Sequence, residues 1–200
     1  MPAIAKTSEE EIVRVARQIV DADGASSLSM QLVADEVGVR APSLYKRFAD
    51  RDALLDAVAR QAIAELTARI AAVADDGPPA RALVAMGRAY RAFAKKSPGV
   101  YALLFAPRKE AADLLDLRAR AVRPLIEVLH LHAPAAPPLE SARMLTAFLH
   151  GFVSMEIAGA FRLGGNITQA FAFGIETLVA SLAEPKRAQH KKRGAEIASP

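Results

Sequence analysis

Residues 29–48 read SMQLVADEVGVRAPSLYKRF, and this stretch decides the fold of the first part of the chain. Ser29 is a suitable N-cap for a short helix, and Gly38 supplies the left-handed backbone conformation with which helices commonly end. A second helix begins near Ala41 and Pro42, because proline is tolerated in the first turn, where its missing N–H has no partner. The spacing therefore predicts two short helices joined by a tight turn.

The second of these helices has two different faces. Leu44 and Phe48 are four residues apart and form an apolar stripe. The other face carries hydroxyl, phenol and cationic groups, at Ser43, Tyr45, Lys46 and Arg47. Two helices joined by a glycine-containing turn, the second with such a polar face, are typical of the helix-turn-helix that places a recognition helix in the DNA major groove.

We take as candidate DNA contacts the polar and turn residues of this unit and its flanks. They are Ser29, Arg40, Ala41, Pro42, Ser43, Tyr45, Lys46, Arg47 and Arg51. Arg40 and Arg47 are the candidates for guanine contact or backbone clamping, and Ser29 and Arg51 for phosphate anchoring. The alternative is an ordinary solvated helix face. Because residues 1–50 have a net charge of −2, DNA binding depends on this local cluster of cations rather than on a basic domain.

The same stretch resembles the TetR family of bacterial transcriptional regulators. The resemblance covers residues 8–66 and rests on Ala34, Gly38, Val39, Leu44, Tyr45 and Phe48, followed by Asp50, Arg51, Asp52, Ala53, Leu54 and Leu55. Arg40, Pro42 and Arg47 differ from residues that are frequent in the family at those positions. The resemblance implies a TetR-like fold, in which a three-helix DNA-binding domain precedes a larger helical domain for ligand binding and dimerisation.

Helical periodicity dominates the chain, and we predict an all-α protein of about nine helices. The first helix begins at Thr7 or Ser8, and Asp50 caps a long helix that runs to about Ala74. The predicted helices that follow span residues 80–96, 100–105, 108–132, 140–163 and 167–182, with Pro124 kinking or dividing the third of these. We expect residues 1–50 to form the DNA-binding domain, 51–183 the second domain, and 184–200 a basic, disordered tail.

The last two long helices are apolar nearly all round, so they need cover on more than one side. This predicts a homodimer through them, with Leu145, Leu149, Val153, Phe171, Ile175 and Leu178 in the interface. A two-fold dimer would place two recognition helices on a palindromic site. The alternative is that both helices pack centrally within one chain.

Aromatic and sulfur-containing residues of the second domain would line an apolar pocket if the helices leave a gap, and the resemblance to the TetR family implies that such a pocket holds an effector. The candidate lining residues are Met86, Tyr90, Phe93, Tyr101, Phe105, Leu125, Phe148 and Phe152. At helical spacing such residues also fit an ordinary core. His150 is interpreted as a hydrogen-bonded core or interface histidine rather than a ligand contact, and Glu156 as a partner of Arg88 or Arg162, of water or of a cationic effector.

The composition excludes several classes of protein. The chain has no cysteine, hence neither disulfides nor a thiolate site, and it contains no nucleotide-binding, hydrolase or zinc-protease motif. We therefore expect neither an enzyme nor a cofactor or metal. The N-terminus lacks the features of a signal peptide, and no segment reaches the ~20 apolar residues of a membrane span, which favours a cytoplasmic protein without a membrane partner.

Together these features predict a cytoplasmic repressor that releases a palindromic operator when a small, largely apolar effector binds. The alternative is a helix-turn-helix regulator without an effector, which acts constitutively or through a protein partner.

Overall fold

The computed structural model describes residues 8–75 and 77–183, and every regular element in these ranges is helical. The helices are α1 Glu9–Asp23, α2 Met30–Val37, α3 Ala41–Tyr45, α4 Arg51–Ala71, α5 Pro79–Lys96, α6 Pro98–Phe105, α7 Ala112–Ala121, α8 Arg123–His132, α9 Pro138–Ile157 and α10 Ile167–Ala183. A 3₁₀ turn, Ala25–Ser27, joins α1 to α2. The prediction of an all-helical fold is confirmed. The predicted tail at 184–200 lies outside the described residues.

The first three helices form one packed unit. Ser8 caps α1, since its Oγ accepts a hydrogen bond from the Glu11 amide at 3.1 Å. Ile12 and Ala16 of α1 are buried against the apolar sides of the next helices, where Val33 and Leu44 are fully buried. The hydrophobic periodicity of α1 and the apolar stripe of the second short helix therefore meet in one core.

Helix α3 is shorter than the sequence predicts. Its regular part ends at Tyr45 rather than at Phe48. Beyond it the backbone tightens, because the Arg47 and Phe48 amides both donate to the Leu44 carbonyl, at 2.8 and 2.9 Å. The hydrogen bond from Arg47 to Leu44 spans three residues rather than four, which is usual in the last turn of a helix. Phe48 nevertheless remains buried in the core.

Arg51 ties this unit to the long helix that follows. Its Nε donates to the Leu28 carbonyl at 2.7 Å, and one Nη donates to the Ala25 carbonyl. Asp50 caps α4 as predicted, with its Oδ1 accepting from the Ala53 amide at 2.7 Å. Arg51 thus satisfies carbonyls of the 3₁₀ turn and of the segment after it, an intramolecular role that the sequence did not indicate.

Helix α5 is the centre of the remaining helices and packs on α4, α6, α8, α9 and α10. The residues predicted to line its buried face are buried, as the four-residue spacing required: Leu83, Met86, Tyr90 and Phe93. Helices α9 and α10 approach closely at Gly174, where an added Cβ would lie 2.5 Å from Cζ of Phe148. A side chain at this position would therefore require the Phe148 ring to shift.

The backbone sets two helix boundaries, of which one agrees with the prediction and one differs from it. Pro124 divides the predicted helix into α7 and α8, one of the two outcomes expected for an internal proline. Helix α9 ends at Ile157 instead of Leu163, because Gly159 adopts a left-handed φ of +63° and the Ala160 amide closes the end by donating to the Met155 carbonyl at 2.9 Å.

Glu156 pairs with residues that the sequence analysis did not name. Arg91 of α5 contacts both of its carboxylate oxygens, at 2.6 and 2.7 Å, and Lys95 lies 2.6 Å from one of them. The predicted partners are engaged elsewhere, since Arg88 pairs with Glu176 and Arg162 donates to the Gly159 carbonyl. An arginine partner is found as expected, but the named residues are wrong, because helix spacing does not reveal which residues of α5 face α9.

We expect Arg51→Ala to lower the free energy of unfolding by about 1.5 kcal/mol, because two charge-assisted hydrogen bonds to carbonyls are lost. Lys46→Ala is the matched control, since Lys46 is exposed and forms no bond within the described residues, and it should change stability by less than about 0.5 kcal/mol. Urea denaturation followed by circular dichroism measures both. Equal effects of the two substitutions would contradict the structural role of Arg51.

We expect Glu156→Gln to lower the free energy of unfolding at pH 7 by about 2 kcal/mol, because only 8% of the Glu156 side chain is exposed and Arg91 would lose its counter-charge. The hydrogen bond from Arg91 lowers the pKa of Glu156 below its ordinary value of 4.5. The stabilisation is therefore complete above that value and is lost as the pH falls through the lowered pKa.

The deficit of the Glu156→Gln variant relative to wild type should accordingly shrink below about pH 4.5. Glu176→Gln provides the control, because that carboxylate forms an exposed pair 3.5 Å from Arg88 and should contribute less than about 0.5 kcal/mol. Thermal unfolding at pH 3.5 to 7 measures the difference, and a deficit that did not vary with pH would refute the assignment.

Candidate nucleic-acid interface and ligand cavity

Three cations at the helix-turn-helix are exposed and unpaired. The side chains of Arg40, Lys46 and Arg47 form no hydrogen bond or ion pair within the described residues. Most of the other arginines in the described residues form ion pairs, from Arg14 in α1 to Arg123 in α8. The turn and the end of α3 are thus a place where positive charge is free to meet an anion.

The neighbouring side chains divide between core and solvent as the sequence predicts. Leu44 and Phe48 are buried, whereas Ser43 is exposed and 53% of Tyr45 is accessible. Ala41 is half-buried and Pro42 is exposed at the first turn of α3. The structure therefore places hydroxyl, phenol and guanidinium groups together on the outer side of a short helix.

The two flanking candidates have local roles of their own. The Oγ of Ser29 accepts from the Leu32 amide at 3.1 Å and caps α2, while the hydroxyl remains exposed. Arg51 is bound to the carbonyls described above, and its Nη1 lies 3.5 Å from Asp52. Contact of either residue with phosphate stays a prediction.

A cavity of about 200 Å³ lies among α4, α5, α6, α7, α8, α9 and α10. Aliphatic side chains and Met86 form most of its wall, and Phe105 is its aromatic contribution from the end of α6. The polar side chains that line it are Thr67, Tyr90, Arg118 and Thr146. Predominantly apolar walls with few polar groups are typical of small-molecule sites.

Half of the predicted effector residues line this cavity: Met86, Tyr90, Phe105 and Leu125. The other four do not. Phe93 is buried in the core, Tyr101 lies behind Tyr90, and Phe148 and Phe152 pack on Phe171 between α9 and α10. Helical spacing indicates that a residue lies on the apolar side of its helix, but it does not distinguish a cavity wall from a filled core.

A chain of hydrogen bonds runs outward from the cavity. The Tyr90 and Tyr101 hydroxyls are 3.0 Å apart, and the Tyr101 hydroxyl is 2.8 Å from Nδ1 of His150. Burial raises the pKa of both phenols, which therefore remain protonated hydrogen-bonding groups. Phe105 covers the imidazole, with 4.0 Å between the ring centroids. The sequence indicated a hydrogen-bonded His150 but not its partner.

The charged group on the cavity wall is neutralised within the protein. Nη2 of Arg118 donates to Glu110 at 2.6 Å and to the Leu104 carbonyl at 2.7 Å, and its Nε donates to the same carboxylate at 3.0 Å. Hydrogen bonding from Arg118 lowers the pKa of Glu110. Beside it, Asp56 of α4 is buried and paired with Arg108. The sequence analysis missed both pairs, because their partners come from an irregular segment without helical periodicity.

Most of the residues predicted to form a dimer interface are buried within the single chain. Leu145, Leu149, Val153, Phe171 and Ile175 are buried within the single chain, and Leu178 is half-buried, so a partner could not reach the first five. The exposed face of α9 and α10 carries a different set: Met144, Ala147, Gly151, Met155, Phe173, Thr177 and Ala180. The predicted residues are buried because α9 and α10 each pack one apolar side against α5.

The described residues offer neither a metal-binding cluster nor a membrane-spanning helix. These residues contain no cluster of three or more His, Cys, Asp or Glu side chains that could hold a metal ion. No helix among them is long and apolar enough to cross a bilayer. His132 is half-buried, with its Nε2 2.8 Å from the Val179 carbonyl oxygen.

Comparison with known structures supports the fold. The chain superposes on a protein of unknown function from Rhodococcus sp. RHA1 with a TM-score of 0.78 at 23% identity, over 92% of this chain and 100% of the other. It also superposes on a TetR variant from Acinetobacter baumannii AYE, solved in complex with minocycline, with a TM-score of 0.65 at 19% identity, over 88% and 96% of the two chains. At such identities the likeness concerns the fold alone.

Sequence relatives and family models agree with this fold. The chain is 27% identical to the uncharacterised HTH-type transcriptional regulator YobS of Bacillus subtilis (strain 168), over 88% of this chain and 92% of YobS. It is 30% identical to the uncharacterised HTH-type transcriptional regulator Rv0681 of Mycobacterium tuberculosis H37Rv, over 78% and 72% of the two chains.

Residues 12–58 match the model of bacterial regulatory proteins of the tetR family, and residues 83–178 match the model of tetracyclin repressor-like C-terminal domains. With its helix-turn-helix and its helical C-terminal part both matched, the chain belongs to the TetR family of transcriptional regulators.

Proposed function

We propose that this regulator is a homodimeric, cytoplasmic repressor that binds a palindromic operator and releases it when a small, largely apolar effector fills the C-terminal cavity. The observation that carries the DNA-binding part is the group of exposed, unpaired cations at the end of the helix-turn-helix. In this proposal residues 1–50 bind DNA and residues 51–183 bind the effector and the partner subunit. The protein controls transcription rather than catalysing a reaction.

The DNA contacts follow from what each exposed group offers. Arg40 and Arg47 carry planar guanidinium groups that match the two acceptors of guanine or a phosphate. Ser43, Tyr45 and Lys46 donate to phosphates or base edges. Ser29 and Arg51 lie at the edges of the unit, where a phosphate is the expected partner. Because Leu44 and Phe48 hold the helix in the core, these groups keep fixed positions against the groove.

The cavity favours control by a small molecule over a regulator that has no effector. A cavity of about 200 Å³ exceeds the roughly 150 Å³ that holds benzene in an engineered core. Its walls are mostly apolar and its charged residue is paired, so a neutral, apolar molecule is the expected occupant.

Helix α6 connects the cavity to the DNA-binding part. Its last residues, Leu104 and Phe105, line the cavity. Its beginning lies against α1, where Asp21 Oδ1 accepts from the Gly99 amide at 3.1 Å. A ligand that displaces the end of α6 would therefore shift α1, and α4 lines the same cavity. Such a ligand shifts the equilibrium only if it binds the two conformations with different affinities.

The dimer interface that we propose is the exposed face of α9 and α10, which corrects the face predicted from sequence. Ala147 has only a methyl side chain and Gly151 has none, which allows two helices to approach closely, and Met144, Met155 and Phe173 flank them. Exposed large apolar side chains grouped in this way are typical of protein–protein interfaces.

We expect the double substitution Tyr45→Ala with Arg47→Ala to weaken binding to the operator by at least about thirtyfold, because a guanidinium contact and a phenol contact are lost. The operator is first obtained by selecting bound duplexes from random-sequence DNA with the wild-type protein, and affinities are then measured by fluorescence anisotropy. Arg123→Ala is the control, since Arg123 is an exposed cation on α8 that pairs only weakly with Glu127, 3.8 Å away.

The variants should remain dimeric and fold as the wild type does. Failure of the wild type to enrich any sequence would overturn the proposed function, and unchanged affinity of the double variant would overturn the assignment of the contact residues.

We expect Phe173→Asp to weaken dimerisation by roughly thirtyfold or more, because 73% of this ring is exposed in the single chain and a buried aromatic anchor would become a charge. Leu131→Asp is the matched control, because Leu131 is 69% exposed on α8, away from the proposed face. Sedimentation equilibrium measures both variants. A dimer that survives Phe173→Asp, or that Leu131→Asp disrupts equally, would contradict this interface.

A further inference from the structure

Two of the four polar side chains that line the cavity are fully engaged with other protein groups. Arg118 is held by Glu110 and by the Leu104 carbonyl, and Thr67 donates its hydroxyl to the Ile63 carbonyl at 2.7 Å. Tyr90 and Thr146 remain as the polar side chains of the wall that a ligand could engage. Recognition of a polar group on the ligand therefore falls to one of these two.

Tyr90 differs from Thr146 because it is the inner end of a hydrogen-bonded chain. Tyr90 lines the cavity, Tyr101 lies behind it, and His150 borders a neighbouring depression in the surface, which shares Phe105 with the wall of the cavity. The two contacts of 3.0 and 2.8 Å join these three side chains without a break. No other hydrogen bond of the His150 ring is found in the described residues.

The Ser154 side chain also interacts with the Tyr101 hydroxyl. Along the line from Tyr90 through Tyr101 to His150, the hydrogen bonds have two possible directions. When Nδ1 of His150 accepts, Tyr101 donates to it and Tyr90 donates to Tyr101, so every hydroxyl hydrogen has a partner. When Nδ1 carries the hydrogen, the order reverses, and the Tyr90 hydroxyl hydrogen is left to donate into the cavity. An apolar cavity without a ligand favours the first direction, because an unsatisfied buried donor costs free energy.

A carbonyl oxygen in the cavity would reverse this preference. It accepts but does not donate, so it pairs with Tyr90 only when the hydroxyl hydrogen points inward. Tyr101 must then donate to Tyr90, and Nδ1 of His150 must donate to Tyr101. The position of a hydrogen on the imidazole, at the surface, is thereby coupled to the chemistry of the ligand inside.

We propose that the effector is a neutral, ring-sized apolar molecule that carries one carbonyl-type acceptor, that Tyr90 donates to this acceptor, and that His150 acts through Tyr101 as the positioning residue that sets the direction of the donor. This inference rests on the proposed function, because it assigns the ligand class of the same cavity. It makes Tyr90 the specificity-determining contact and leaves the aliphatic wall to provide affinity.

The test compares two probes of matched shape, 2-acetylnaphthalene and 2-ethylnaphthalene, by equilibrium dialysis against the full-length protein. Tyr90→Phe should weaken binding of the ketone about fivefold relative to its effect on the hydrocarbon, which is the loss expected for one hydrogen bond. Because each variant is compared with the wild type for the same probe, the difference in hydration between the two probes cancels. Thr146→Val is the matched control, because it removes the other available hydroxyl of the wall, and it should leave this ratio unchanged.

The positioning role of His150 has its own spectroscopic readout. In ¹⁵N NMR of the histidine rings, the ketone should shift His150 toward the form protonated at Nδ1, and the hydrocarbon should not. His150→Gln identifies the resonance among the four histidines. A ring that responds equally to both probes, or to neither, would overturn the coupling.

The outcomes separate this inference from the proposed function. A ketone affinity that Tyr90→Phe leaves unchanged, or that Thr146→Val reduces instead, overturns the assignment of Tyr90 as the donor while the cavity remains a binding site. Binding of neither probe at millimolar concentration overturns the ligand class and removes the support that the cavity gives to an effector. Selective binding of the ketone without release of the selected operator supports the ligand class but contradicts the repressor function.

Discussion

The contact between the end of α1 and the beginning of α6 is the constraint on which the arrangement of the two parts depends. Gly99 lies so close to α1 that an added Cβ would be 2.1 Å from the Val20 carbonyl oxygen. Asp21 accepts from the Gly99 amide and, at 3.4 Å, from the Val100 amide, so one carboxylate satisfies two free N–H groups at the start of α6. The recognition unit is thereby held against the helix whose other end borders the cavity. Because no free space separates the two helices at this contact, any movement of α6 is transmitted to α1.

The distribution of charge divides the molecule according to function. Where charged groups lie inside or between helices they are paired, as in Asp56 with Arg108 and Glu110 with Arg118. Isolated charges there would cost several kcal/mol, and pairing with good hydrogen bonds offsets that cost. At the helix-turn-helix the opposite holds, since the cations are exposed and have no partner in the described chain. A domain that is acidic overall can therefore still offer a local anion-binding surface.

The sequence predicted the elements well because each depends on local rules. The caps at Ser8, Ser29 and Asp50 and the break at Pro124 follow from hydrogen bonds within a few residues, and all are found in the structure. Helix ends were less predictable, since the end of α9 depends on the conformation of Gly159.

Pairings between distant helices could not be read from spacing. Glu156 was assigned the wrong partners, and Phe148 and Phe152 were placed in the cavity although they pack between α9 and α10. The same limit explains why spacing alone did not predict which face of α9 and α10 is available for a dimer interface. A helix that is apolar on two sides shows that two surfaces must be covered, but only the packing against α5 shows which side the single chain covers. Once Leu149 and Val153 are buried there, the side that bears Gly151 remains for a partner, and a two-fold axis through it would fix the separation of the two recognition helices. Because half-sites on DNA lie about 34–36 Å apart, a small rotation of each subunit about such an axis is enough to break the match with a palindrome.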